Sequence, residues 1–575
     1  MDPLSIARAL REVSQYLQLK GDDFYKTRAY DQGAERMAGF SGDLDTLVRE
    51  GRLTELPNIG ATLAEKITEL HRTGTLQLLE KLRAEFPPGI LELLHLPDLG
   101  AKKAAALHKA LGVGSIEQLE QAARDQRIRG LKGFGERSEQ KILAGIEQYR
   151  SAHARRRLGE VLPVAQALLS EVRAAPGVVR AEVAGSVRRW CELVSDVDIV
   201  ASAPEAEPVL AVLARQSGVR EVLGQGESKC SVRMEDGLQV DLRVLPDEDY
   251  ATALHHFTGS KAHHVRLRGR ARDLGLTISE WGVFRGEEKL PVPTEEALYA
   301  LLGMSYVPPE LREDVGEFEA ALAGTLPDLL APSAVQGVVH SHSTWSDGKS
   351  SLEQMARAAA ALGLRYLTVT DHSAAAAYAG GLDETRVRSQ WEEIARVQEL
   401  VPQLRLFRGL EVDILEDGAL DLSDGLLAEL DVVIASVHVR HGQDEAAMTA
   451  RVLRALDHPC TDVLGHPTGR LLQRRDPSPL NIPAVVERAA KRGVLLEVNG
   501  NPDRLDLSAE HVRLALQGGV RLVVSADAHS TLALHNVAFA IHTARKGGAR
   551  TSDVLNTRGP DEFLAEIRRR RTQRG

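Results

Sequence analysis

At 575 residues, 43% hydrophobic and 26% charged, with no low-complexity tract, the chain is too long for one core and reads as several globular domains. A net charge of −10 excludes a generally basic nucleic-acid binder, and three scattered cysteines (Cys191, Cys230, Cys460) exclude a disulfide framework or a cysteine-rich zinc site, as suits a reducing cytoplasm. No stretch has the apolar length of a membrane span and Met1-Asp2-Pro3 does not open a signal peptide, so no membrane partner is expected.

Long amphipathic runs ending in Gly predict helices through the first 150 residues. These hold 22 basic and 22 acidic residues, so any DNA contact there must come from local geometry. A short pattern recurs in them: Leu56-Pro-Asn-Ile-Gly60, Leu96-Pro-Asp-Leu-Gly100 and Leu131-Lys-Gly-Phe-Gly135, each opening a helix. A tight Gly turn at a helix N-terminus lets backbone N–H groups approach a phosphate, aided by the helix dipole, without reading sequence. One copy is equally an ordinary helix connection; three copies make Gly60, Gly100 and Gly135 candidate DNA-backbone contacts. Lys66 is either a surface lysine paired with Glu65 or Glu69, or an amine able to form a Schiff base with an abasic sugar.

Strand patterns follow at Val178–Ala184, Asp196–Ala201 and Gln239–Leu245. Residues 185–198 read G-S-V-R-R-W-C-E-L-V-S-D-V-D. In an extended strand residues two apart share a face, so Asp196 and Asp198 present two hard oxygen ligands together, suited to Mg²⁺ or Mn²⁺ carrying a nucleotide triphosphate. Gly185-Ser186 can turn N–H groups and a hydroxyl toward the phosphates, with Arg188 and Arg189 to neutralise them. A lone D-x-D is usually a solvated strand end; its company here points to nucleotidyl transfer.

A segment rich in histidine and arginine runs to about 316, and Thr325–Gly337 has the prolines and small residues of a linker. Beyond it, strands such as Tyr366–Thr370, Val432–Val437 and Val494–Val498 alternate with helices, which predicts an α/β barrel-like domain. Eleven of the 19 histidines follow residue 330. Six of these fall in His340-Ser-His342, Thr370-Asp371-His372, Ser436-Val-His438, Gly465-His466-Pro467 and Asp527-Ala-His529, joined by Asp347 and Glu411. Any one of these is ordinarily a packed or surface residue. Together, at converging strand ends, they suit Zn²⁺, Mn²⁺ or Fe²⁺. His441 and His458 match no motif and read as surface residues, while Arg440 and Arg470 are either phosphate holders or solvated.

Residues 1–316 resemble a family X DNA polymerase in the hairpins, in G-S-V-R-R…D-V-D, and in Phe257-Thr-Gly-Ser-Lys-Ala-His-His-Val-Arg-Leu-Arg268. Other nucleotidyltransferases share G-S…D-x-D but are not expected to carry the other two. The resemblance implies that Asp196, Asp198 and Asp241 are the catalytic, metal-binding carboxylates. It places Gly185, Ser186, Arg189, His256, Phe257, Gly259, Ser260, Lys261, His264 and Arg268 at the dNTP. His256 stands where the vertebrate enzyme has Tyr, and Lys261 where an acid is expected. Lys66 matches the lyase nucleophile, although a neighbouring lysine of that motif is Thr62 here. The mechanism implied is in-line attack of a primer 3′-hydroxyl on the α-phosphate, with two metals about 3.5–4 Å apart.

Residues 336–575 resemble a PHP (polymerase and histidinol phosphatase) domain, which implies a three-metal cluster on His340, His342, Asp347, His372, Glu411, His438, His466, Asp527 and His529 and phosphoester hydrolysis. The implied architecture is multidomain α+β and α/β. It comprises a lyase-like helical domain (1–85), a second hairpin domain (86–150), a palm with a mixed sheet (151–245), a nucleotide-selection domain (246–316), a linker (317–335) and a distorted (β/α)7-like PHP barrel (336–575). The implied protein is a DNA-directed DNA polymerase filling short gaps in base excision repair, with 3′→5′ exonuclease and AP endonuclease activity. Its partners would be gapped or primed DNA and dNTP, and its form a cytoplasmic, nucleoid-associated monomer. The alternative is a nucleotidyltransferase acting on RNA or small molecules, joined to an unrelated PHP phosphatase.

Overall fold

The structure, a computed structural model, describes residues 3–38, 44–87, 89–96, 99–153 and 155–574. Pro97 and Asp98 of the second hairpin repeat and Met1-Asp2 lie outside them. The chain divides into two compact units, 1–154 and 155–575.

Among the described residues the first unit is helical. Ile6, Leu10, Val13 and Leu17 recur at helical spacing along Pro3–Lys20 and are buried, as an amphipathic stripe requires. The described residues of the three repeats share one hydrogen-bond pattern. In each, two successive three-residue turns precede the glycine: Leu56 and Ile59 donate to Leu53 and Leu56 (both 3.1 Å), Leu96 and Leu99 to Leu93 and Leu96 (both 3.2 Å), and Leu131 and Phe134 to Ile128 and Leu131 (both 3.0 Å). The sharp reversal needs a left-handed residue, supplied by Asn58 (φ 66°) and Gly133 (φ 88°). The glycines then open the helices Ala61–Thr73, Ala101–Leu111 and Glu136–His153.

The second unit begins with a five-stranded mixed sheet in the order Arg180–Val183, Asp196–Ser202, Gln239–Leu245, Lys229–Met234, Val219–Gln225. Alternation sorts the second strand. Val197, Ile199 and Ala201 face a core shared with helices Leu158–Ala174 and Ala206–Ala214, while Val200, on the other face, lies under helix Tyr250–Thr258. Asp196 and Asp198 share that second face. Gln239–Leu245 pairs in parallel with this strand, placing Asp241 directly opposite Asp198.

Helix Lys261–Asp273, a three-stranded antiparallel meander (Thr277–Ser279, Gly282–Arg285, Glu288–Leu290) and helix Glu295–Leu301 pack around Leu267, Ile278, Leu298 and Tyr299. Glu317–Ala323 is a helix adding Phe318 and Ala321 to this core. Leu330 is buried and donates its N–H to Ala549 at 2.8 Å.

The C-terminal barrel has seven parallel strands in chain order: Gly337–Val338, Tyr366–Val369, Arg405–Asp413, Val432–Ser436, Val463–Leu464, Leu495–Asn499 and Leu522–Ser525. A parallel bridge between Ser341 and Ala528 joins the continuations of the first and last strands, so the barrel all but closes. Period-two alternation writes its interior. Tyr366, Phe407, Ile434, Leu495 and Val523 form an inner cluster at one end, plugged by Phe563 and Ile567 of helix Pro560–Arg574. Even-numbered steps toward the strands' C-terminal ends lead from them to His372, Glu411, His438, Glu497 and Asp527. One inward face is apolar at the bottom and charged at the mouth.

Candidate active sites

At the five-stranded sheet, Asp196, Asp198 and Asp241 converge from two adjacent strands. Lys229 Nζ lies 3.0 Å from one Asp241 oxygen and Gln239 Nε2 3.3 Å from the other. Burial, then repulsion from Asp196 and Asp241, pushes the Asp198 carboxyl up to about 7. Burial and the Asp241 charge raise Asp196 as well. Mutually repelling carboxylates that share Lys229 fit a divalent cation.

The turn beside them is fixed by size. Gly185 has φ 60°, and a Cβ there would lie 2.4 Å from Asp198 Oδ2. Gly185–Arg188 make one helical turn, with Ser186 half-buried in it. The two arginines have different partners: Arg188 is held by Glu295 (2.6 and 3.0 Å) and by Thr258 Oγ1 (2.8 Å). Arg189 donates to Glu313 (3.2 Å) and to the Thr258 carbonyl. Arg188 is thus an internal strut, and Arg189 sits one residue on.

The Arg243 guanidinium covers the Phe257 ring at 4.2 Å, and the His256 ring lies 4.8 Å from those of Phe257 and His264. Burial, then the His256 and Arg268 charges, holds His264 down near 3, and burial lowers His256 too, so this aromatic wall is uncharged at neutral pH. The corner between helices is made by Gly259 (φ 69°) and Ser260, whose hydroxyl accepts the His263 N–H at 3.2 Å. Lys261 and Arg268 are exposed on the next helix. His255 and His263 were given no role by motif; both are buried against the Tyr299 hydroxyl (3.2 and 2.8 Å), and His263 also meets Glu317 at 2.7 Å. They lock the corner.

In the first unit Lys66 is half-buried, 3.6 Å from Glu69. Gly60 and Gly100 have ordinary negative φ (−80° and −71°), and a Cβ at Gly60, Gly100 or Gly135 would meet nothing within 4 Å. The described residues therefore give no internal reason for glycine at these corners.

The barrel mouth gathers the histidine motifs. Ligand atoms lie within 4.8 Å of one another in three groups: His342, Asp347, His372 and His529; His340, His342 and Asp527; His372, Glu411 and His438. Buried Glu411 is the hub, with His466 at 2.8 Å, His372 and His438 at 3.1 Å and His340 at 3.3 Å. Asp347 bridges His529 (3.3 Å) and His372 (3.7 Å), and Asp527 lies 3.3 Å from His342. Among the described residues His340 Nε2, both His342 ring nitrogens and His372 Nδ1 are buried without a hydrogen-bond partner. Such orphaned nitrogens among carboxylates fit metal cations.

The outer nitrogens show the same design. His340 Nδ1 meets Glu497 at 2.7 Å, His438 Nδ1 meets Asp413 at 3.1 Å, and His529 Nδ1 meets the Asp527 carbonyl at 3.0 Å. Such contacts orient ligating imidazoles. Glu497 and Asp413 belong to no motif, and their inward parity was the available signal. Asp371 braces the loop instead, accepting from Ser343, Ser346 and Gln390 at 2.6–2.8 Å. His441 is half-buried against Ser478 (3.0 Å) rather than on the surface; His458 bonds Asp424 (3.2 Å). Arg440 pairs with Glu416 at 3.0 Å, and Arg470 is taken up by Glu192 (2.5 Å) and the Leu505 carbonyl. A different arginine, Arg504, stands 3.6 Å from Asp527.

Comparisons with known proteins agree with this layout. The DNA polymerase beta thumb family matches residues 253–313 and the PHP domain family residues 339–499. A helix-hairpin-helix domain matches 1–76 and a SAM-like helix-hairpin-helix tandem 90–148. The chain is 36% identical over 573 residues, 99% of its length and 100% of the relative's, to the DNA polymerase/3'-5' exonuclease PolX of Bacillus subtilis. It is 24% identical over 340 residues to DNA polymerase lambda of Rattus norvegicus (54% of this chain, 56% of that one). It is 28% identical over 233 residues to a probable phosphatase of Thermoanaerobacter sp. (38% of this chain, 89% of that one).

Proposed function

The chain belongs to the family X DNA polymerases that carry a C-terminal PHP domain, and on that footing we propose that it fills short gaps in damaged DNA and trims 3′ ends at a separate, metal-dependent site. One observation carries the reading: two separate clusters suited to metal cations lie on one chain, a carboxylate trio on a mixed sheet and a histidine-rich barrel mouth.

Mg²⁺ or Mn²⁺ held by Asp196, Asp198 and Asp241 would stabilise charge on the attacking and leaving oxygens. The chain's own residues do the positioning. Gly185, Ser186 and Arg189 receive the triphosphate; His256 and Phe257 pack against the sugar; His264 and Arg268 meet the base and the template edge. Gly259, Ser260 and Lys261 form the corner beside the nucleotide. The open corners at Gly60, Gly100 and Gly135 support main-chain contact with DNA phosphates, needing no net positive charge.

At the barrel mouth, His340, His342, Asp347, His372, Glu411, His438, His466, Asp527 and His529 would hold Zn²⁺, Mn²⁺ or Fe²⁺, a three-cation cluster that activates water against a phosphodiester. Glu497 and Asp413 keep His340 and His438 oriented for that task. The protein acts as a monomer in the cytoplasm, at the nucleoid where its DNA substrate lies. Among the described residues no helix is long and apolar enough to cross a membrane.

A gapped-DNA assay with dNTPs and Mn²⁺ or Mg²⁺ tests both sites. Asp241→Ala is expected to cut synthesis by about 10³ or more while sparing 3′-end degradation, and His340→Ala to do the reverse. Primer extension by Asp241→Ala would remove the first assignment, and degradation by His340→Ala the second.

A further inference from the structure

One helix of the barrel packs against the polymerase half beside the carboxylate trio. Val537–Lys546 buries Ala540, Ile541 and Ala544, while Phe539, His542 and Lys546 recur at helical spacing toward the sheet domain. Trp190 stacks on the His542 ring (3.7 Å between centroids, 6° between planes) and meets Phe539 edge-on at 5.6 Å. Glu310 accepts from His542 at 2.9 Å and from Arg545 at 2.7 Å.

The last residue of that helix bears on the nucleotide site. Lys546 Nζ lies 2.5 Å from Glu313 Oε1, 3.2 Å from the Arg189 carbonyl and 3.5 Å from the Glu310 carbonyl. The same Glu313 oxygen accepts from Arg189 Nε at 3.2 Å and from Cys191 Sγ at 3.3 Å. Glu313 is the carboxylate that Arg189 meets among the described residues. Unneutralised, it would compete with a triphosphate for the guanidinium. Lys546 removes that competition by pairing with the carboxylate, and it pins the Arg189 main chain at the same time.

We propose that Lys546 is a positioning residue of the polymerase site: by neutralising Glu313 it keeps Arg189 oriented yet available to a triphosphate oxygen. The PHP domain thereby becomes part of the nucleotide-binding apparatus. The inference rests on the assignment of Arg189 to the triphosphate made above.

The test compares KM for dNTP and kcat on gapped DNA, with 3′-end degradation alongside, in the full-length wild type and in K546M, K546R, E313Q, E313Q/K546M and R189A. K546M is expected to raise KM for dNTP about tenfold with kcat within about twofold, while degradation stays at the wild-type level. K546R should restore KM, and E313Q should restore it in the K546M background by removing the competing carboxylate. E313Q alone should leave KM at or below the wild-type value. A merely structural junction predicts the opposite, because E313Q weakens the same contacts; a raised KM in E313Q overturns the proposal even if K546M does not fold. A wild-type KM in K546M overturns it directly. R189A separates the two layers: an unchanged KM there removes the Arg189 assignment itself, whereas a raised KM beside a normal K546M removes only the role of Lys546.

Discussion

Asp198 is the residue at which the cost of a carboxylate trio shows most plainly. Its folded pKa of about 7 lies above the ordinary aspartate value, so the folded state binds a proton that the unfolded chain has released. Below about pH 4 both states are protonated and nothing is lost; between about 4 and 7 the metal-free fold becomes progressively less favourable, and above 7 the full penalty stands. Asp198→Asn removes the ionisation. Metal-free Asp198→Asn should therefore be more stable than wild type at pH 8, by on the order of 2 kcal/mol after allowing for coupling to its neighbours, and the gap should narrow as pH falls and close near pH 4. Thermal melts of the two proteins across that range check it, and a gap constant with pH would contradict it. At this scale the sequence was most legible where chemistry and period coincide: two aspartates one residue apart must share a face. It was least legible for Arg188, whose partner Glu295 lies 107 residues downstream and only the tertiary fold brings near.

Among the elements, the hairpins separate fold from function most cleanly. Gly100 caps Ala101–Leu111 with ordinary φ and open space where a side chain would stand. Gly100→Ala should cost on the order of 0.5–1 kcal/mol, the loss of a moderately preferred N-cap residue, lowering the melting temperature only slightly. On the proposed main-chain contact, DNA affinity should nonetheless fall severalfold, because the added methyl would stand in the open space left for a phosphate. The slope of log affinity against log salt should be unchanged, since an amide contact releases no cation. Binding isotherms at three salt concentrations give both readings. The strands were read unevenly, for physical reasons. Gln239–Leu245 alternates cleanly, and its bounds are those read from sequence. Val219–Gln225, an edge strand exposed over most of its length, offers no apolar pattern. Two barrel strands are only two residues long, and their closure depends on neighbours.

For the whole molecule, the barrel mouth concentrates six imidazoles and three carboxylates in a largely buried space. Cations bound there stabilise the fold by mass action, by about 4 kcal/mol at a thousandfold excess over Kd. Stripping metal with a chelator should lower the unfolding temperature and abolish 3′-end degradation, and Mn²⁺ should restore both. Asp241→Ala should keep most of this shift and His342→Ala should lose most of it, as differential scanning fluorimetry can show. The cluster at the mouth was legible because each motif carries its own histidine or carboxylate. Glu497 and Asp413 were not, since only the inward parity of a strand known to be in a barrel distinguishes them.

The stacked pair Trp190 and His542 carries a further lesson about inheritance. Trp190 belongs to the loop beside the carboxylates and His542 to the barrel, and around them Glu310, Glu313, Arg545 and Lys546 complete one mosaic. The two catalytic halves are therefore not interchangeable cassettes. A chimera that joins the polymerase half of one relative to the barrel of another must carry both sides of this mosaic together. Drift on this barrel helix, which carries none of the clustered histidines, is constrained by the polymerase half that it packs against.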